Sequence, residues 1–240
     1  MKRREVIEWA LQAIYPRRCP ICHDIVKPRG ELACPACRAK MRPVEEPRCK
    51  KCGKPLGKEE VEHCADCSRR SHVFEEAAGI FLYDKIMRDS LMKCKYGGRK
   101  EYLDFYSQAM AHYGEKYLRR WRPGALAPIP MHKSRMRQRG FNQSVCLAQA
   151  AGQAFGIPVY EHMLEKAKKT RPQKELEERQ RRTNLKGAFT TGKEFRPLAS
   201  VVLVDDVYTT GSTLDEAAKC LKRAGVGKVY ALTLCIGNGF

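Results

Sequence analysis

The amino-acid sequence predicts two units in one chain. A small metal-stabilised unit occupies residues 1–72, and an α/β domain with a mainly parallel sheet and helices on both faces occupies 73–240. Three observations lead there. Four Cys-x-x-Cys pairs crowd the first part of the chain, and strand-like and helix-like stretches alternate from about Phe74 onward. An uninterrupted apolar run, Val201 to Val204, leads into two aspartates and a loop of small residues. Alternating elements argue a parallel sheet, and an apolar β-branched run argues a central strand covered on both faces.

Taken in order, the chain opens Met1-Lys2-Arg3-Arg4, but Glu5, Glu8 and Gln12 interrupt what would be the apolar stretch of an export signal, so none is expected. Val6, Ile7, Ala10, Leu11 and Ile14 recur at helical spacing, which predicts a short amphipathic helix packed on its own protein. The glutamates stand where a membrane-surface helix would carry basic residues. No apolar run approaches the roughly 18 residues that a membrane-spanning helix needs, so no membrane insertion is expected.

The pairs are Cys19/Cys22, Cys34/Cys37, Cys49/Cys52 and Cys64/Cys67, each starting fifteen positions after the one before. A Cys-x-x-Cys turn aims two thiolates at one ion, and two such turns complete a tetrahedral site. Four turns therefore make two closed, structural zinc sites, favoured over disulfides, an iron–sulfur cluster or redox chemistry. Pairing the turns in sequence needs only short hairpins; the sequence does not exclude interleaved pairing. Cysteines used in this way suit a reducing compartment, and a cytoplasmic location is expected. Residues 16 to 70 hold few large apolar side chains, so metal binding is expected to supply folding free energy there. Cys94, Cys146, Cys220 and Cys235 have no such partner and read as small buried apolar residues.

In the second unit, Ala78 to Tyr83 reads as a strand, Ile86 to Lys95 and Tyr102 to Arg119 as helices, and Leu126 to Pro130 as a strand. Gln143 to Phe155 is a helix stopped at Gly156, before a strand-like Ile157 to Tyr160. Val201 to Val204, Leu214 to Arg223 and Lys228 to Cys235 form a strand–helix–strand unit. Ligands of such sheets bind at the carboxyl ends of strands, which places Asp205 and Asp206 at a crevice. Thr209, Thr210, Gly211, Ser212 and Thr213 then run into a helix N-terminus, where free N–H groups and the helix dipole hold phosphate.

Two acids before a phosphate cradle suit a sugar phosphate, and this string resembles the phosphoribosyl-pyrophosphate (PRPP) motif of type I phosphoribosyltransferases. No Gly-Lys-Ser/Thr occurs there, which argues against a Walker loop. Arg139-Gly140-Phe141-Asn142-Gln143, Arg171-x-Gln173, Arg182-x-Asn184-x-x-Gly187-Ala188-Phe189 and the leading cysteine pairs together resemble the ComF family of competence proteins, over nearly the whole chain. The resemblance implies a double zinc ribbon followed by a type I phosphoribosyltransferase-like domain. It implies that Asp205 and Asp206 contact the ribose hydroxyls and act as the catalytic pair, and that Thr209, Thr210, Gly211, Ser212 and Thr213 hold the 5-phosphate. Met131, His132 and Lys133 occupy the place of the pyrophosphate loop, and Met163 to Gly187 that of a closing hood. Tyr208 replaces a small aliphatic residue often found in the motif.

The function implied is a PRPP-binding, cytoplasmic DNA-handling factor in DNA uptake, with Mg²⁺ accompanying PRPP. The implied partners are PRPP, single-stranded DNA and other competence or DNA-uptake proteins. The other reading is an active phosphoribosyltransferase that displaces pyrophosphate with an unknown amine or base. Charge fits anionic partners: 46 Lys and Arg against 27 Asp and Glu leave +19. Eight thiolates and two zinc ions lower this to about +15. Arg135, Arg137 and Arg139 suit pyrophosphate or a nucleic-acid backbone equally well. Lys93, Lys95, Tyr96, Arg99 and Lys100 read as a basic surface turn rather than a stacking patch for single strands.

Overall fold

The computed structural model describes residues 15–57, 61–167 and 185–238. The helix expected around Val6 to Ile14 lies outside these residues, as do Arg171, Gln173, Arg182 and Asn184 of the hood segment. The elements are α1 (Pro35–Arg38), α2 (Ala65–Arg69), β1 (Ala77–Leu82), α3 (Lys85–Tyr96), α4 (Tyr102–Trp121), β2 (Ala125–Pro128), α5 (Lys133–Arg139), α6 (Gln143–Phe155), β3 (Leu164–Lys166), β4 (Phe189–Thr191), β5 (Ser200–Tyr208), α7 (Ser212–Arg223) and β6 (Lys228–Ile236).

β1, β6, β5 and β2 form a four-stranded sheet in that order, with every pair parallel. β5 is central, and its successive side chains point to opposite faces. Val202 and Val204 join one buried cluster, with Tyr106 and Met110 of α4 and Leu147 of α6. Val201 and Leu203 join the other, with Leu214, Ala217 and Leu221 of α7. Both faces of this strand are therefore dry, as its uninterrupted apolar run requires. Asn142 and Asp84 cap α6 and α3 by accepting from Ser144 N and Met87 N, which explains where these helices start.

β5 runs four residues beyond Val204, because Asp205, Val207 and Tyr208 keep register with Thr233, Cys235 and Ile236 of β6. The expected strand at Ile157 to Tyr160 contributes one bridge, Val159 to Leu126. Pro158 has no N–H to extend the ladder. α5 and the small β3–β4 ribbon were not legible as regular structure; both are short, and α5 is strongly charged.

The cysteine-rich segment grips the sheet at its β1 edge. The Val44 amide donates to the Ile80 carbonyl at 2.8 Å, and the Leu82 amide donates to the Arg42 carbonyl at 2.9 Å, so residues 42 to 44 cover the edge strand. Cys19, Val26, Ala33, Cys37 and Met41 pack into the cluster with α3 and α4. Val44, Cys49, Cys52 and Cys64 pack into the cluster with α7. One cysteine set thus lies against each face of the sheet. The scarcity of large apolar side chains in residues 16 to 70 is offset by burial against the α/β core, alongside any metal. Among the described residues no helix is long and apolar enough to cross a membrane.

Gly53 sits where the second cysteine set meets β1. Its φ is +76°, and an added Cβ would lie 2.6 Å from the Ala77 carbonyl oxygen. Gly53→Ala should destabilise the metal-loaded chain by about 2 to 3 kcal/mol, measured by urea denaturation.

Candidate functional site

The eight cysteines gather as two fours, Cys19, Cys22, Cys34, Cys37 and Cys49, Cys52, Cys64, Cys67, with the sulfurs of each set within 4.8 Å of one another. The turns pair in sequence. A tetrahedral Zn–S₄ centre has sulfur–sulfur edges of about 3.8 Å, so both sets fit a structural zinc ion. Backbone amides already point at the sulfurs: Ile21 N donates to Cys19 Sγ and Lys27 N to Cys34 Sγ, both at 3.5 Å. Hydrogen bonds from Cys52 and Cys67 hold the Cys49 thiol below its ordinary range, while the bond to Cys49 pushes Cys52 above it. Thiolates this close repel one another, and a divalent cation lets all four ionise together.

At the opposite end of the chain, Asp205 and Asp206 stand near the carboxyl end of β5. Asp205 Oδ1 accepts from Ser144 Oγ at 3.0 Å and from its neighbour's amide, Asp206 N, at 2.9 Å. Burial first, and then the neighbouring Asp206 charge, push the Asp205 carboxyl up to about 7. Asp206 Oδ2 forms a short ion pair with Lys95 Nζ, and both side chains are mostly buried. Burial works against the Lys95 charge, but the Asp206 carboxylate overcomes it and holds Lys95 above its ordinary value.

Beyond β5 the chain turns through Thr209, Thr210 and Gly211 into α7. Gly211 has φ +75° and is the N-cap, with no side chain occupying the cap position. Thr210 Oγ1 lies 2.9 Å from Ser212 Oγ. The helix therefore starts at Ser212, two residues before the expected Leu214, and the leading N–H groups lie inside the small-residue loop. A cavity of about 300 Å³ opens beside this loop, lined by Arg69, Arg70, His72, Thr210, Ser212 and Asp215 among others.

Met131, His132 and Lys133 follow β2 at the same sheet end: Ile129 N donates to Val204 O at 2.9 Å. His132 caps α5 by accepting from Ser134 N at 3.2 Å, while Lys133 is exposed. The stretch Arg139 to Gln143 closes this loop back onto the domain. Asn142 Nδ2 donates to Ile129 O at 3.0 Å, and Arg139 donates to both Gln143 Oε1 at 2.9 Å and Tyr96 Oη at 2.8 Å. The acid pair, the small-residue loop and the loop after β2 thus converge at one end of the sheet.

The profile of the double zinc ribbon domain matches residues 10–68. Competence protein ComFC of Bacillus subtilis is 30% identical over 173 residues, covering 69% of this chain and 66% of that protein. Competence protein F of Haemophilus influenzae is 39% identical over 109 residues, 45% of this chain and 48% of that protein. The chain belongs to the ComF family. DNA utilization protein YhgH of Salmonella typhi is 36% identical over 113 residues, 47% of this chain and 49% of that protein. The matched stretches thus span about half the length of the Haemophilus and Salmonella relatives.

Three residues at this ComF-family site were not singled out for it from the sequence. Ser144 and Lys95 reach the acid pair from α6 and α3, and only the packing of those helices on β5 brings them there. Lys166 of β3 is the third. Burial and the Arg135 charge push its ammonium below the ordinary lysine value, with Asp205 opposing. Its signal was its place in the charged segment within the expected hood, Met163 to Gly187. Of the other cysteines, Cys94 and Cys235 are buried, while Cys146 and Cys220 are half-buried.

Elemental analysis of protein made with ample zinc should find two zinc ions per chain, and about one per chain in Cys52→Ser. For Asp205, the folded state binds the proton more tightly than the unfolded state does. Its stabilising contribution is complete below the unfolded value of about 3.9 and is lost as pH rises through about 7. Asp205→Asn should therefore melt several degrees above the parent chain at pH 8, and the gap should close toward pH 4, as followed by circular dichroism.

Proposed function

We propose that the chain is a PRPP-binding protein that acts in DNA uptake as a cytoplasmic DNA-handling factor. In this reading residues 1–72 form the helix and double ribbon, and residues 73–240 the phosphoribosyltransferase-like domain. The observation that carries it is the juxtaposition at the end of β5: two acids, then a glycine-capped helix N-terminus beside a polar cavity that Thr210 and Ser212 help to line. Asp205 and Asp206 contact the ribose hydroxyls, Thr209 to Thr213 hold the 5-phosphate, and Met131, His132 and Lys133 meet the pyrophosphate. The DNA role draws on the names of the relatives, competence proteins and a DNA utilization protein, together with the net charge of +19. Single-stranded DNA and other DNA-uptake proteins are the partners in this reading.

The acid pair is not a ready-made cation cage, since Asp206 is ion-paired to Lys95 and Asp205 is pushed toward neutrality. Mg²⁺ therefore enters with PRPP, held by the diphosphate oxygens and water, as that ion prefers. Asp206 is ion-paired to Lys95 in a buried setting, and a carboxylate oxygen can accept a hydrogen bond from a hydroxyl. Asp205 titrates near neutral pH, able to accept or donate.

The alternative is turnover, favoured by the completeness of the acid pair and loop. A nitrogen acceptor would form a bond to the anomeric carbon as the C–O bond breaks, pyrophosphate leaving with the electron pair and the acceptor losing its proton. Positioning and electrostatics would supply the catalysis, with no protein nucleophile.

Calorimetric titration of the zinc-loaded chain with PRPP and Mg²⁺ tests the proposal. Saturable binding is expected, reduced at least about tenfold in Asp205→Asn/Asp206→Asn. Absence of binding by the folded parent chain would overturn the PRPP reading. Pyrophosphate release with a panel of amines and bases separates turnover from binding alone.

A further inference from the structure

His72 lies where the ribbon segment enters the α/β domain, and its side chain is almost completely buried. One ring nitrogen, Nδ1, is 2.7 Å from Asp215 Oδ2, and the other, Nε2, is 3.4 Å from Tyr208 Oη. The ring stacks on Phe74 at 4.7 Å. Asp215 also accepts from Val73 N at 2.8 Å. Tyr208 is the last residue of β5 and Asp215 lies in the first turn of α7, so one imidazole holds both flanks of the Thr209 to Ser212 loop. Gly211 rests on this floor: a Cβ there would lie 2.6 Å from Tyr208 Oη and 3.0 Å from His72 Cε1.

The floor is continuous with the second cysteine set. Cys49, Cys52 and Cys64 share one buried cluster with Phe74, Tyr208 and Leu214. Lys54, two residues after Cys52, is buried, pairs with Asp66 at 2.6 Å and lies 6.0 Å from the Tyr208 ring. The first cysteine set has no part in this cluster; Cys19 and Cys37 pack with α3 and α4.

We propose that His72 is a positioning residue that couples the second zinc site to the phosphate loop. The metal-loaded ribbon fixes the imidazole, the imidazole fixes Tyr208 and Asp215, and the loop between them is held ready for an anion. This rests on the phosphate-loop reading above. Coupling between two binding sites is reciprocal, so a ligand on the loop must also stabilise the second zinc site, and that site alone.

The test uses the full-length, zinc-loaded chain with ribose 5-phosphate as probe. Titration calorimetry compares the parent with His72→Phe, which keeps the stack on Phe74 but loses both hydrogen bonds, and with His72→Asn, which keeps a donor for Asp215. Zinc release to a chromogenic chelator is then timed with and without the probe. His72→Phe should bind about tenfold more weakly with two zinc ions still present, and His72→Asn should recover part of the loss. The probe should slow release of one of the two zinc ions in the parent. If His72→Phe does not fold, the release experiment on the parent decides alone. Equal binding by parent and folded His72→Phe, or protection of both zinc ions or neither, overturns the coupling while leaving the phosphate loop intact. A parent chain that binds no ribose 5-phosphate overturns the loop reading itself, and the coupling with it.

Discussion

The pairing of residues 42 to 44 along β1 organises the molecule. A sheet edge exposes a row of unpaired N–H and C=O groups, and the link between the two cysteine sets occupies that row. Because the link crosses the edge, the first set descends on one face of the sheet and the second on the other. Neither set has enough apolar mass for a core of its own, and each borrows one from the sheet. The ribbons therefore act as clasps whose sulfur sites hold short turns against a larger hydrophobic surface.

The same sheet carries the cost of its site. A carboxylate buried beside another carboxylate is unfavourable, and Asp205 and Asp206 follow one another near the end of the central strand β5. Lys95 neutralises one acid, and Ser144 and a backbone amide serve the other. Strain of this kind persists where surrounding structure over-determines it; here β6 on one side and α3 and α6 on the other keep the acids in place. The basic side chains around the site, including Lys133, Arg135 and Lys166, add a positive field that suits an anion more than a neutral ligand.

Much of the architecture was legible because it is written in local pattern. The four cysteine pairs, the apolar β5 run, the helix ending at Gly156 and the loop through Gly211 each depend on neighbours within a few residues. The sequence readings missed the end of one strand, the start of one helix and the extent of a further strand. β5 continues through Asp205 and Asp206 because β6 supplies ladder partners, and α7 starts at Ser212 because Gly211 is the cap. Ile157 to Tyr160 gave a single bridge because Pro158 interrupts its donors.

By itself the sequence determined the class of the fold, the eight cysteines that serve as metal ligands and the position of an acid pair before a phosphate-type loop. Those features depend on residue type and short spacing, which a linear chain displays directly. Tertiary structure alone decided that the cysteine turns pair in order, that Lys95 and Ser144 serve the acids, and that His72 underlies the loop. His72 and Asp215 are 143 positions apart, and Ser144 and Asp205 are 61 apart. Contacts across such separations exist only after the sheet has assembled, because the apolar faces that bring them together act without regard to sequence distance.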